Sequence, residues 1–264
     1  FVPFDRQAKK WRFPYWEPTE QSHEEFHQDW GHMKKIQPYG RKAYLAQLKA
    51  LDDNIGKIYK ALENKGMLDN TLVIFLSDNG GTINTYSNNA PLNGYKYMFG
   101  EGGVRIPMIV SWPSKLPGAK RNANLVSSMD LFPTILELLE GDPPKDLDGK
   151  SLEGLLKNST NTHHEVLYWS KGKDDTWAVR EGDWKLIKSK GWKHANFQLE
   201  NGLCVATEDY WYPEGLQLFN LSTDPGETTN LLEKYPEKVQ HMEQLHAQWN
   251  EKMSVPRTGD GVPK

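Results

Sequence analysis

The stretch TLVIFLSDNGG, residues 71–81, is followed along the chain by GYKYMFGEGGVRIP, residues 94–107, and by the apolar segment MIVSW, residues 108–112. The apolar runs predict two strands, at residues 71–77 and 106–112. Neither run alternates between polar and apolar residues, which is typical of strands covered on both faces. A strand that ends in a polar turn, followed by a glycine-rich loop, indicates a ligand site at the end of a sheet.

Two oxygen-bearing side chains, Asp78 and Asn79, come directly after the first predicted strand. Ligand sites in α/β sheets lie at the carboxyl ends of strands, and carboxylate and amide oxygens suit Ca²⁺ or Mg²⁺. Adjacent strand residues point to opposite faces, so both reach one ion only if the backbone bends, which Gly80 and Gly81 allow. Because Asp-Asn-Gly also favours a plain turn, composition alone leaves both interpretations open.

Lys96 lies among aromatic residues and glycines in a predicted loop at residues 82–106. Loops of this length without secondary structure are usually functional or disordered. A lysine placed there would hold a sulfate or a phosphate as a point charge, and an ordinary surface lysine is the alternative. Glu101 and Arg105 are predicted to fix the loop to the sheet rather than to act in catalysis.

Helices flank the two predicted strands. Apolar residues at three- and four-residue steps predict an amphipathic helix from Arg41 to Lys65, with Gly66 at its C-terminal cap. A second helix is predicted near Met129–Glu140, and the residues expected to face inward from it are Ile135, Leu136, Leu138 and Leu139. This order predicts an α/β fold with a parallel or mixed sheet flanked by helices.

The pattern changes after about Lys157, where short strand-like segments separated by turns begin. They would form a small antiparallel sheet and are predicted at residues 165–169, 177–180, 184–187 and 216–220. A last helix, from Pro236 to Met253, has an apolar face that would pack on this sheet. We therefore expect two domains, residues 1–157 and residues 158–264.

The composition is that of a folded protein of ordinary charge. The chain has 264 residues, 37% of them hydrophobic, with 10 Trp, 11 Tyr and 9 Phe, which argues against disorder. A net charge of −3 does not mark a nucleic-acid binder, and no apolar stretch reaches the roughly 18 residues of a membrane span. The single cysteine, Cys204, excludes an intramolecular disulfide and leaves the compartment open.

Three histidine and tryptophan patterns have weaker interpretations. The segment HEEFH, residues 23–27, matches the zinc-protease string H-E-x-x-H, but its neighbours lack the apolar helix face that such a site needs, which favours a chance match. His163 and His164 precede a strand and are read as surface residues. A sugar-stacking surface and an ordinary aromatic core are both compatible with the tryptophans at 169, 177, 184, 192 and 211.

The order of several motifs resembles the sulfatase family. They are YLAQLKALDDNIGKIYKALENKGMLDNTLVIFLSDNGG, APLNGYKYMFGEGGVRIPMIVSWPSKLPG, LVSSMDLFPTILELLEG and DGKSLEGLL, followed by AVREGDWKLI and LFNLSTDPGETTNLLEKYPEKVQHMEQL. The resemblance runs from about Lys42 to the end of the chain and concerns the C-terminal part of an arylsulfatase-like protein. It implies an alkaline-phosphatase-like fold and sulfate-ester hydrolysis. The implied location is the periplasm or the outside of the cell, or the lysosome in a eukaryote.

The resemblance also assigns roles to site residues. Asp78 and Asn79 are expected to bind an active-site Ca²⁺, with Mg²⁺ as the alternative. Lys96 is expected to contact the sulfate group of the substrate and to stabilise charge on the leaving oxygen. The expected substrate is a sulfated carbohydrate or an aryl sulfate, and neither nucleic acid nor membrane is expected as a partner.

The nucleophile of the family has no counterpart in these residues. Sulfatases use a formylglycine made from the Cys or Ser of a C/S-x-P-x-R motif, and no such motif occurs in the 264 residues. Cys204 lies in GLCVATED, which does not match, and the paired Asp-Asp metal motif of the family is lacking as well. The isolated chain is therefore expected to be inactive. The N-terminal half would either have been cut from the same polypeptide or be a partner on a separate chain.

Three other functions stay open at this point. The first is a degenerate relative that binds sulfated glycan or a partner protein without catalysis. The second is a phosphodiesterase or phosphonate hydrolase of the same superfamily, and the third is the zinc protease suggested by HEEFH.

Overall fold

A computed structural model describes residues 4–5, 10–11, 38–118, 120–157, 163–171 and 176–253. Only the backbone is described at residues 4–5, 10–11, 84, 192–197 and 207–211. The HEEFH segment lies outside the described residues. Strands β1 (Phe4–Asp5) and β2 (Lys10–Trp11) pair antiparallel with each other.

The first long helix, α1, spans Gly40–Asn64. It ends where Gly66 adopts a φ of 64° and donates its backbone N–H to the carbonyl of Glu63, a left-handed residue of the kind that closes helices. A single 3₁₀ turn, Leu68–Asn70, leads into strand β3, Val73–Leu76. The predicted helix and strand are confirmed to within two residues at each end.

Strand β4, Met108–Ser111, pairs with β3 in antiparallel register, so that Phe75 lies opposite Ile109. The expectation of a parallel arrangement is wrong for these two strands. The segment between them is a returning loop that contains a 3₁₀ turn, Ile83–Thr85, and the short helix α2, Glu101–Val104, whereas a parallel pair requires a crossover connection. Phe75 is 38% exposed and Ile109 61% exposed, so this pair is also not covered on both faces as predicted.

Helix α3, Leu131–Leu138, follows the 3₁₀ turn Ser128–Asp130. Leu138 is buried with Trp112 and Leu116 in a small core against β4 and the short helix α4, Glu153–Leu156. Of the residues expected to face inward, Ile135 and Leu139 are exposed instead. Helix α3 therefore leaves Ile135 and Leu139 uncovered among the described residues.

The second half of the chain forms a four-stranded antiparallel sheet in the order β5-β6-β7-β8. Its strands are β5 Val166–Ser170, β6 Trp177–Glu181, β7 Trp184–Glu200 and β8 Leu203–Asn220. The last two are far longer than predicted because they continue as a two-stranded ribbon to the turn at Asn201-Gly202. Both turn residues have positive φ, 49° and 76°, as a tight hairpin with Asn-Gly requires.

The two faces of this sheet are covered by different parts of the chain. On one face lies helix α5, Pro236–Lys252, whose Val239 and Met242 are buried against Leu186 and Leu218. On the other face lies the loop before α2, whose Met98 is buried against Ile187 and Phe219, with Tyr95 and Phe99 packed around them. The predicted packing of the last helix is confirmed, and the sheet also supports the Lys96 loop.

Helix α1 is the longest helix among the described residues, and its composition is too polar for a bilayer span. No other described helix combines the length and the apolar character that a bilayer span needs.

Candidate functional site

The backbone turns sharply after β3, at Asp78–Gly81. The N–H of Gly80 donates to the carbonyl of Gly103 at 2.9 Å. A Cβ on Gly80 would lie only 1.7 Å from the carbonyl oxygen of Gly102, so only glycine allows the two backbones to approach this closely. The close approach brings the end of β3 against the start of helix α2.

Asp78 and Asn79 present oxygen atoms at this turn. Asp78 is exposed, and its Oδ1 accepts a hydrogen bond from the backbone N–H of Asn79 at 2.9 Å. Asn79 is half-buried and donates from Nδ2 to the carbonyl of Gly80 at 2.8 Å, while no described residue donates to its Oδ1. The second carboxylate oxygen of Asp78 and the amide oxygen of Asn79 accept no hydrogen bond from the described residues, and oxygens of this kind suit a hard cation. Since Ca²⁺ takes about six to eight oxygen ligands, further ligands are needed.

The Lys96 loop is attached to the same turn. The backbone N–H of Lys96 donates to the carbonyl of Gly81 at 3.0 Å. Asn89 bridges the two segments, because its side chain accepts from the N–H of Gly81 and donates to the carbonyls of Gly81 and Gly94, each at 3.0 Å. Lys96 itself is half-buried, with Nζ 5.5 Å from the centre of the Tyr97 ring. The structure thus brings the three predicted site residues to one region of the molecule.

Glu101 fixes the loop to the second sheet. Its carboxylate is 1% exposed and lies 2.8 Å from Nζ of Lys185 and 3.0 Å from the guanidinium of Arg180. Arg105, which is mostly exposed, is 3.8 Å from the same carboxylate. The structural role predicted for Glu101 is confirmed, since it joins α2 to strands β6 and β7.

A second buried carboxylate completes this cluster. Glu227 lies 3.0 Å from Nζ of Lys185, and its other oxygen accepts from the backbone N–H of Glu101 at 2.7 Å. Burial raises the pKa of Glu227 despite the nearby Lys185 cation. Burial would also raise the pKa of Glu101, but the Lys185, Arg180 and Arg105 cations outweigh it and lower that pKa.

Sequence reasoning did not identify Lys185 and Glu227 as members of this cluster. Lys185 lies between Trp184 and Leu186 in β7, and a lysine that is buried in such a position needs a charged partner. Glu227 follows Pro-Gly in a turn and adopts a φ of 53°. A lysine between apolar residues of a predicted strand indicates a buried cation but does not identify its partner, and nothing local to Glu227 indicates that it is buried.

Three further side chains have the composition of a metal site. Asp130, His163 and His164 each offer one ligand atom, and these atoms all lie within 4.8 Å of one another. The prediction that the two histidines are surface residues is wrong, because their side chains are 8% and 6% exposed. Burial lowers the pKa of His163. The negative charge of Asp130 acts to raise this pKa, and the neighbouring His164 acts to lower it further.

The tryptophans with described side chains serve the core. Trp177 is buried and stacks on His246 of α5 with ring centres 4.0 Å apart. Trp169 packs against the cluster around Met98, and Trp184 contacts Tyr235 edge to face. The side chains at positions 192 and 211 lie outside the described part. Cys204 is a buried free thiol.

The comparison with protein families defines the class of this protein. Residues 7–141 match the family model described as Sulfatase, and residues 95–255 match the one described as N-sulphoglucosamine sulphohydrolase, C-terminal. The chain therefore belongs to the sulfatase family. The two matches together include the turn, the Lys96 loop and the second sheet.

Similar proteins agree with this assignment. A Sulfatase of Formosa agariphila is 34% identical over 220 residues, 77% of this chain and 38% of that protein. An N-acetylgalactosamine-6-O-sulfatase of Bacteroides thetaiotaomicron is 33% identical over 215 residues, 74% of this chain and 39% of that protein. The chain thus spans well under half the length of these relatives.

Solved structures support the fold. A crystal structure of Ps i-CgsB in complex with k-i-k-neocarrahexaose superposes with a TM-score of 0.66 at 29% identity, covering 87% of this chain and 46% of that one. A second structure of Ps i-CgsB gives a TM-score of 0.65 at 30% identity over 79% of this chain and 43% of that one. The alkaline-phosphatase-like α/β fold is confirmed, with mixed helices and antiparallel sheets and a C-terminal helix.

Proposed function

We propose that this chain contributes one part of the active site of a sulfate-ester hydrolase. In this proposal Asp78 and Asn79 bind the metal ion and Lys96 binds the sulfate group of the substrate. The observation that carries it is the hydrogen bond between the N–H of Lys96 and the carbonyl of Gly81 at 3.0 Å. It supports the proposal because it holds the lysine segment against the turn that presents the two oxygen ligands.

Members of the sulfatase family use a metal ion, and the donor set of the turn fits Ca²⁺, with Mg²⁺ as the alternative. When bound, such an ion draws charge from the sulfate oxygens. Asp78 supplies the negative charge and Asn79 a neutral oxygen. Lys96 stabilises the charge that develops on the leaving oxygen, as a fixed cation in a partly desolvated position can.

The formylglycine nucleophile must come from residues other than these 264, since they contain no C/S-x-P-x-R motif. We propose that the partner is the N-terminal half of a sulfatase domain. The apolar residues of α1 and β4 support this proposal, because Leu45, Ile58 and Ile109 are 47%, 62% and 61% exposed. Residues 1–157 are then the C-terminal part of the catalytic domain, and residues 158–264 a subdomain that supports it.

A sulfated carbohydrate is the substrate class that we propose. One of the relatives is an N-acetylgalactosamine-6-O-sulfatase, and one solved neighbour holds a neocarrahexaose. Beside the Lys96 loop lies a cavity of about 200 Å³ that is lined by Tyr97, Ser189 and Lys190 among others. Its lining is mixed, with Phe99 and Tyr212 beside Ser189 and Lys190, and such a mixture of aromatic and polar groups is compatible with a sugar. A periplasmic, secreted or lysosomal location agrees with such a substrate.

The sulfatase matches do not favour the other functions considered. They give no support to a phosphodiesterase or a phosphonate hydrolase, and none to a binding module without catalysis. The zinc-protease string lies outside the described residues and inside the sulfatase match at residues 7–141.

The proposal is tested by reconstitution. The chain alone is expected to show no hydrolysis of an aryl sulfate, and activity is expected when the N-terminal part of the Formosa agariphila relative complements it. In that complex, Lys96→Ala should lower kcat by about 100-fold or more, the usual effect of removing one charge-stabilising donor. Lys145→Ala, which changes an exposed lysine of a loop outside the candidate site, should not.

Asp78→Ala is expected to abolish both activity and Ca²⁺ binding in the same complex. Normal rates in the Lys96 and Asp78 variants, with the fold intact by circular dichroism, would disprove the assignment of these residues. Turnover by the chain alone would disprove the need for a complementary segment.

A further inference from the structure

Asp130, His163 and His164 meet at the junction between the two halves of the chain. Asp130 is the last residue of the 3₁₀ turn that precedes α3, and the two histidines come just before β5. They share no residue with the turn at Asp78 or with the Lys96 loop. All three side chains are at least nine-tenths buried.

The Asp130 carboxylate is held rigidly in place. Oδ2 accepts from the backbone N–H of Ser127 at 2.7 Å, and Oδ1 accepts from the backbone N–H of Lys150 at 2.8 Å. Oδ1 also lies 2.8 Å from Nε2 of His164. Backbone N–H groups that orient a carboxylate in this way are typical of the outer contacts that support a metal ligand.

His163 presents a buried nitrogen that lacks a hydrogen bond. Its Nε2 lies 3.3 Å from Oδ2 of Asp130, yet it makes no hydrogen bond among the described residues. A buried imidazole nitrogen beside a carboxylate oxygen, with no hydrogen-bond partner, is a suitable donor atom for a metal ion.

We propose that Asp130, His163 and His164 form a binding site for a single zinc-like divalent transition-metal ion. Zinc binds imidazole nitrogen and carboxylate oxygen at about 2.0–2.1 Å, so neighbouring ligand atoms of a tetrahedral site lie roughly 3.3 Å apart. The 3.3 Å between His163 Nε2 and Asp130 Oδ2 already matches this spacing. The distance between His164 Nε2 and Asp130 Oδ1 is 2.8 Å and has to lengthen by about half an ångström to match this spacing.

The donor set decides which metal fits. Two imidazoles and one carboxylate suit zinc and its first-row neighbours, whereas calcium selects oxygen ligands. This site is therefore distinct in chemistry from the Ca²⁺ site proposed at Asp78 and Asn79. Bound metal would join the start of α3 to the start of β5, and because the ligands are far apart in sequence, it would stabilise the folded chain.

The test uses the complete 264-residue chain, freed of metal with a chelator and titrated with Zn²⁺ alone. We expect one equivalent of Zn²⁺ to bind at micromolar concentration and to raise the melting temperature by several degrees. The X-ray absorption spectrum of bound Zn²⁺ should show two imidazole nitrogens and oxygen ligands without sulfur. Binding of less than one equivalent, or a spectrum without two imidazoles, overturns the proposal.

Three variants locate the site. His163→Gln should weaken Zn²⁺ binding at least tenfold and remain folded, because the nitrogen it loses makes no hydrogen bond. His241→Gln, which removes an exposed histidine of α5, should leave binding unchanged. The double variant His23→Gln/His27→Gln removes the HEEFH alternative and should also retain binding. Loss of binding in this double variant, or full binding in His163→Gln, overturns the proposal.

Discussion

Gly80 makes the close approach of the turn at residues 78–81 to helix α2 possible. Replacing it by alanine places a methyl group 1.7 Å from the carbonyl oxygen of Gly102 by ideal geometry, so the turn must move. We expect Gly80→Ala to lower the free energy of unfolding by about 2 kcal/mol or more, the range of backbone and overpacking changes. Urea unfolding measures this directly.

Gly56 provides the matched control for that substitution. It lies within α1, and a Cβ built there meets no atom within 4 Å. Alanine should therefore stabilise the chain by up to about 1 kcal/mol through helix propensity. Equal effects of the two substitutions would show that the contact with Gly102 does not constrain the turn.

At the level of single residues, the sequence indicates where the candidate site lies, and the roles of its residues remain predictions. Asp78 and Asn79 directly follow an apolar run and Lys96 lies in a glycine-rich loop, but only the resemblance to sulfatases assigns them a metal ion and a sulfate group. Lys185 was not recognised, because its partner Glu101 is 84 residues away and only the fold brings them together. The same holds for His163 and His164, whose burial depends on Asp130 of another segment.

The connection between the Lys96 loop and the second sheet depends on Lys185. Lys185→Met leaves the carboxylates of Glu101 and Glu227 facing each other without their shared cation. Removing one partner of a buried ion pair typically costs about 3–5 kcal/mol, and we expect a loss of stability of that size in urea unfolding. Lys190→Met, an exposed site on the same strand, should change stability by less than about 0.5 kcal/mol. Similar stabilities of the two variants would contradict this role.

The pH dependence of stability reports on the same elements. Since the folded pKa of Glu101 is lowered, its contribution is fully present above the unfolded pKa of about 4.3 and is lost as pH falls through the folded pKa. The raised pKa of Glu227 has the opposite effect on stability. As pH falls, the folded state binds a proton at Glu227 before the unfolded chain does, which favours the folded state. Glu101→Gln should therefore lose less stability than the parent chain below about pH 4.3.

This prediction is checked by urea unfolding at a series of pH values from neutral to strongly acidic. The exposed Glu137→Gln serves as the control and should retain the pH profile of the parent chain. Identical profiles for Glu101→Gln and the parent chain would show that the Glu101 ion pairs do not set the acid sensitivity.

The elements themselves were predicted best where a local pattern specifies them. Helices α1 and α5 have a clear periodicity of apolar residues, and both were placed within one residue of their observed ends. The sequence predicts only the inner part of the β7–β8 ribbon because the outer part alternates weakly, although Asn201-Gly202 is a common hairpin turn. The direction of β4 was wrong because a long loop gives no local indication of whether the chain returns or crosses over.

At the scale of the molecule, the described parts differ in how well they are covered. The second sheet is packed on both faces, by α5 and by the Lys96 loop. In contrast, α1 and the β3–β4 pair leave large apolar side chains exposed, among them Leu48, Leu51 and Phe75. Exposed apolar surface of this kind marks an interaction site or an aggregation risk. The proposed complementary half of the sulfatase domain would cover it.

Ile58 tests whether this surface binds the complementary segment. Its side chain is 62% exposed, so Ile58→Glu should change the stability of the isolated chain by less than about 0.5 kcal/mol. Burying an isoleucine contributes about 1.5–3 kcal/mol, and a buried charge costs more. We therefore expect association with the N-terminal part of the Formosa agariphila relative to weaken by about tenfold or more, measured by calorimetry and by recovered sulfatase activity.

Lys57→Glu, at the neighbouring exposed position, separates the effect of charge from that of the apolar contact. Equal association of the Ile58→Glu variant and the parent chain would mean that this face of α1 is not the docking surface.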